Sequence, residues 1–132
     1  MTQHKDILIN LWIEKANIAI EDAQTAYNGK RYENAVNRIY YAIFYIVSSL
    51  AQKNDFATSK HSALLAWFNK KFINEDKVFD VRLFKIYSGA FFLRQESDYD
   101  VSYKLSAEKV KELLSEAKEF LKEVKEYVLS KR

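Results

Sequence analysis

At 132 residues and 15.6 kDa the chain has the length of one domain, spanning 1–132, that can bury a core without staples. It contains no cysteine, which excludes a disulfide framework, a thiolate metal site and a cysteine nucleophile. A net charge of +3 is too small a surplus to argue by itself for a nucleic-acid partner. With no proline and two glycines, little interrupts helix formation, and every predicted element is a helix.

The spacing predicts a first helix over 5–27, with Leu8, Leu11, Trp12, Ala16, Ala19, Ala23 and Ala26 facing inward. Asn28-Gly29 ends it, with glycine expected to take the left-handed cap. The short connection implies an antiparallel partner helix over 31–52. Residues 38–50, RIYYAIFYIVSSL, are apolar nearly all round, so this helix must be covered on several sides. A buried strand is excluded because Tyr32, Ala35, Val36, Ile39, Ile43, Ile46, Val47 and Leu50 keep the helical repeat.

A polar loop over 53–59 precedes a third helix over 60–72, whose apolar set is Leu64, Leu65, Trp67, Phe68 and Phe72. After a connection over 73–77, a fourth helix over 78–93 places Leu83, Phe84, Tyr87, Ala90 and Phe91 inward. Arg94 continues that stripe, and a guanidinium there needs a partner. Residues 95–105 form the longest polar stretch, carrying Glu96, Asp98, Tyr99, Asp100 and Tyr103. Ser106 has the character of an N-cap, with Leu105 and Val110 placed as a hydrophobic staple. The last helix, over 107–130, carries Val110, Leu113, Ala117, Phe120, Val124 and Tyr127, widened by Leu114, Leu121 and Val128. The expected fold is an all-α, up-and-down four-helix bundle with an additional helix.

Few residues suggest chemistry. His4 and His61 fit no metal-ligand spacing, and no glycine-rich phosphate loop exists, so neither metal nor cofactor is expected. His61 has a structural reading and a catalytic one. The cluster from Arg94 to Asp100 also has two readings. Asp98 folds back to pin Arg94 in an ion pair, or Arg94 grips a phosphate that Asp98 or Tyr99 orients. The aromatic content of 15% serves either as core filler or as a stacking platform. The N-terminal MTQHKDILIN lacks the plan of a signal peptide and no run reaches membrane-spanning length, so a cytoplasmic location is expected.

With these pieces in place, the sequence resembles the HEPN domain family, in its small stand-alone prokaryotic form. The resemblance rests on four segments in order. They are the turn Asn28-Gly29-Lys30-Arg31-Tyr32, Ala35 to Arg38 leading into Tyr40-Tyr41-Ala42, Lys60-His61-Ser62, and Arg94 followed by Asp98-Tyr99. The family resemblance implies a homodimer with its signature segments across a shared cleft. It also implies a partner, a minimal nucleotidyltransferase, and in many members a metal-independent ribonuclease toxin.

The ribonuclease signature is an arginine followed shortly by a histidine. No histidine follows Arg94, and with four residues between, its place falls to Tyr99. A phenol such as Tyr99 is a poor base near neutral pH, and a carboxylate such as Asp98 is a weak one. Catalytic candidates are therefore Arg94, Asp98 and Tyr99. The candidates for nucleotide or RNA binding are Arg94, Tyr99, Arg38, Tyr41, Lys60 and His61. Tyr41 and Tyr45, with Arg38 behind them, line either a dimer face or the core. Three functions follow: a dimeric nucleotide- or RNA-binding module working with a nucleotidyltransferase, which could modify Tyr99; a ribonuclease toxin; or a purely structural dimer.

Overall fold

The apolar run lies in helix α2 (Tyr32–Lys53), and in the computed structural model, which describes residues 3–100 and 104–130, neighbours cover most of it, leaving Arg38, Tyr41, Phe44 and Tyr45 half-buried along one face. Three long helices surround it: α1 (Gln3–Asn28), α4 (Val81–Tyr99) and α5 (Ala107–Leu129). A short helix α3 (His61–Phe68) closes the remaining side and passes directly into a π-helical turn, Asn69–Glu75. The described residues contain no strand. The architecture is the expected all-α bundle of long helices with an additional short one. Among the described residues, no helix is long and apolar enough to cross a membrane.

The core is one contiguous cluster centred on Ile39, Tyr40, Ile43, Ile46, Val47 and Leu50 of α2. Facing it, α5 buries Val110, Leu113, Leu114, Ala117, Phe120, Leu121, Val124 and Val128, while Tyr127 stays half-buried. This is the broad stripe that the sequence predicts. Ser106 caps α5 as expected, its hydroxyl accepting the Lys109 N–H at 3.1 Å.

Several boundaries differ from expectation, each for a local reason. On α1 the inward stripe is Ile9, Ile13, Ala16, Ala19 and Ala23, and Leu11 is 50% exposed. The small alanines set how closely α1 meets α2, and tracing back from Ala16 gives two helical stripes, one through Trp12 and one through Ile13. The compact Ile13 takes the contact, while Trp12 is pushed to the edge and stacks on Tyr45 at 6.0 Å. At the end of α1 the left-handed residue is Lys30 (φ 61°), not Gly29. The Arg31 N–H reaches the Ala26 carbonyl and the Lys30 N–H reaches that of Tyr27, a Schellman closure with lysine at the strained position.

The connection expected over 73–77 is displaced, because the π turn carries the chain through Glu75 and buries Phe72 and Ile73. Helix α4 starts at Val81, where the Asp80 carboxylate accepts the Arg82 N–H at 2.8 Å. Its far end also differs: the expected helix over 78–93 runs on to Tyr99, into the polar stretch over 95–105. No glycine or proline stops it there, and buried Ser97 continues the stripe of Leu83, Tyr87, Ala90 and Arg94. Tyr103, placed in the same polar stretch, lies outside the described residues.

Candidate functional site

Arg94 stands where α4 passes the middle of α2. Its side chain is only 17% exposed, and its Nε donates to Asp98 Oδ2 at 3.2 Å. The two are one helical turn apart on the same face, so the pair is an ordinary i, i+4 contact and not a chain fold-back. Such partly solvated pairs contribute about 0.3–0.5 kcal/mol, too little to pin a fold.

The guanidinium rests on aromatic rings. Its central carbon lies 5.0 Å from the Tyr40 centroid and 5.5 Å from that of Tyr41. Both come from α2, where consecutive positions put Tyr40 inward and Tyr41 at the rim. Tyr41 also carries the Arg38 guanidinium at 5.1 Å, so one phenol ring lies beside two cations. Arg38 is held by Asn37, whose Oδ1 accepts from its Nε and a terminal nitrogen at 3.1 and 2.8 Å. Beyond it opens a cavity of about 480 Å³, lined in part by Arg31, Asn34 and Asn37.

His61, the first residue of α3, enters from another direction. Its ring stacks on Phe44 with centroids 4.2 Å apart, and its Nδ1 lies 2.9 Å from the Tyr40 hydroxyl. Burial, and then the Arg94 charge, hold the imidazole below its usual value, so it is neutral at physiological pH. Burial pushes the Tyr40 phenol well above its usual value, against the opposing pull of Arg94. The result is a set of donors and a neutral imidazole around a permanently protonated phenol.

The structure thus brings together Arg38, Tyr41, His61, Arg94 and Asp98. It does not bring Tyr99 into the group: five residues after Arg94 on a continuous helix, it turns to another face and is 79% exposed. Tyr99 is therefore misplaced as a companion of Arg94, because the helix does not end before it. Lys60 precedes α3 with an exposed side chain, and its backbone N–H is held by Thr58 Oγ1 at 3.2 Å. Sequence reasoning names Tyr40 only as part of the central helix and misses its role. One signal was present: a tyrosine inside a helix buried all round must find a partner for its hydroxyl.

Comparison with known proteins now decides the family. The model of the HEPN domain matches residues 9–127, nearly the whole chain. The chain belongs to the HEPN domain family. A Methanocaldococcus jannaschii protein described as "Putative toxin" is 38% identical over 119 residues, covering 90% of this chain and 80% of its own. A Thermotoga maritima protein described as "UPF0332 protein" is 37% identical over 113 residues, covering 86% and 85%. A second M. jannaschii protein described as "Putative toxin" is 29% identical over 116 residues. In this HEPN chain the arginine of the signature segment is drawn to α2 and α3, away from the exposed tyrosine that follows it.

Proposed function

We propose that this chain is a toxin-like HEPN protein acting as a dimeric nucleotide- or RNA-binding module, with a minimal nucleotidyltransferase as its partner. The descriptions of the two Methanocaldococcus relatives support the toxin-like part. The observation that carries the binding part is the state of Arg94. It is pressed on two phenol rings and shielded from bulk water, and the Asp98 carboxylate takes only its Nε–H. A guanidinium has further donors in a rigid fork that matches phosphate, and partial burial strengthens that contact. Arg38 on the far side of Tyr41 supplies a second cation for an adjoining phosphate. The exposure of Tyr99 suits an acceptor for modification by the nucleotidyltransferase.

A second reading is favoured by one observation. His61 stands at the same Tyr40 ring as Arg94, so an imidazole from α3 replaces the one missing after Arg94, and metal-independent RNA cleavage becomes chemically conceivable. One experiment separates the two. Labelled single-stranded RNA is titrated with the pure protein in excess EDTA, and both retention and strand length are followed for wild type and Arg94→Ala. RNA bound and intact by wild type, with binding reduced at least tenfold in the variant, supports the module. Cleavage that survives EDTA and disappears in the variant supports the ribonuclease. RNA neither bound nor cut sinks both.

A further inference from the structure

The Tyr40 hydroxyl and His61 Nδ1 are 2.9 Å apart, and one of them supplies the proton between them. The alternatives differ in what they leave unpaired. If Nδ1 carried the proton and donated to Tyr40, the phenol's own proton would need another acceptor inside the core. Tyr40 is fully buried, and beside its hydroxyl stand His61 Nδ1 at 2.9 Å and the Arg94 guanidinium, which can only donate and so cannot take the phenol's proton. A buried donor without an acceptor costs about 1–3 kcal/mol. If the phenol donates instead, only oxygen lone pairs remain, and Arg94 lies over that ring at 5.0 Å to receive them. The cation attracts the oxygen end of the O–H dipole and turns the proton toward the imidazole.

We infer that Tyr40 donates its hydroxyl proton to Nδ1 of His61 and so fixes His61 as the neutral tautomer that carries its proton on Nε2. Nε2 makes no hydrogen bond among the described residues, and the residue is half-buried, not sealed in the core. The site then offers a phosphate oxygen two neighbouring donors, the Arg94 guanidinium and the His61 Nε2–H, and no base at either. Tyr40 is a positioning residue, because it sets what His61 presents without touching the ligand. The titratable and charged groups facing the imidazole are Tyr40 and Tyr41 from α2 and Arg94 from α4, with Asp98 behind Arg94. The depressed imidazole value agrees with a ring kept neutral. The ligand class, a phosphate of a nucleotide or RNA chain, rests on the binding function proposed above. Under this assignment His61 grips phosphate and does not deprotonate a 2′-hydroxyl.

Nitrogen-resolved NMR of the full chain, labelled at histidine, tests it at a pH where His61 is neutral. Wild type is expected to show a bare Nδ1 and a protonated Nε2. Tyr40→Phe keeps the ring and removes the hydroxyl, and is expected to give a mixture of tautomers and an imidazole titration moved upward. A wild-type proton on Nδ1 overturns the inference, as does a tautomer unchanged in Tyr40→Phe. Inorganic phosphate is then added. A shift of the Nε2 proton signal that is lost in Arg94→Ala supports the two-donor grip. The Nε2–H tautomer without a phosphate response overturns the phosphate site and leaves the Tyr40 assignment standing.

Discussion

Tyr40 on α2 and Tyr87 on α4 are both fully removed from solvent, but their hydroxyls meet different fates. Tyr40 is paired with His61 under a guanidinium. The Tyr87 hydroxyl is buried without a hydrogen-bond partner among the described residues, its ring set edge-on against Phe68 and Phe120 at 5.6 and 6.0 Å. Burial raises both phenols above their usual value; at Tyr40 the Arg94 guanidinium opposes the rise, whereas at Tyr87 the neighbouring Tyr40 phenol adds to it. The same residue type thus serves as packing material in one region and as a polar hinge between three helices in the other. Around Tyr87 the stability comes from ring burial, which outweighs an orphaned hydroxyl. Around Tyr40 the polar groups hold one another, and several remain at the rim where a ligand can reach them.

The largest effect is expected in the packing region. Phe120→Ala removes a fully buried ring that touches Phe68 and Tyr87, and is expected to cost about 3–5 kcal/mol in denaturant unfolding. Arg94→Ala is expected to lose no more than about 2 kcal/mol, the size of one partly solvated ion pair and its cation–π contacts. If Arg94→Ala cost as much as Phe120→Ala, the division between packing and functional regions would fail, and Arg94 would be a structural pin.

That division was partly legible in the sequence. The helical repeat located α2 and α5, with the buried positions of α5 and most of those of α2, because a long stripe of large apolar residues leaves one way to face a core. The same repeat left α1 ambiguous, since Trp12 and Ile13 both continue the alanine stripe and only the partner's shape chooses between them. The end of α4 was not legible, because the apolar stripe fades into the polar stretch over 95–105 although nothing there breaks a helix before Tyr99. Arg94, Asp98, Tyr41, Arg38 and His61 were found as candidates one by one. Their convergence was not legible, because Tyr40 and His61 are 21 positions apart and their contact depends on how α3 docks.

Tyr40→Phe sharpens the comparison at intermediate size. It deletes the hydroxyl's hydrogen bonds with His61 and Arg94, both partners half-buried at the rim where water can replace it, so the expected loss is about 1 kcal/mol. Its signature lies in pH dependence. His61 has a folded pKa below its unfolded value of 6.5, so below pH 6.5 the unfolded chain takes up a proton that the folded chain resists. The contribution is fully present above pH 6.5 and is lost as pH falls through the depressed folded value. Denaturant unfolding between neutral and mildly acidic pH is expected to show this slope in wild type and a shallower one in Tyr40→Phe. Equal slopes would mean that Tyr40 has no hold on the imidazole.

Tyr87→Phe is the smallest change and the opposite in sign. It removes a buried hydroxyl that has no hydrogen-bond partner among the described residues and leaves the ring against Phe68 and Phe120. Replacing an unsatisfied buried polar group by an apolar one of the same shape is nearly neutral or stabilising, so a gain of up to about 1 kcal/mol is expected. RNA binding should be unchanged, since Tyr87 touches none of Arg94, His61 or Tyr41. A loss above about 1 kcal/mol would mean that the Tyr87 hydroxyl is satisfied, by an internal water for instance. The two tyrosines would then differ only in the partner they use, and an orphaned hydroxyl would no longer mark the packing region.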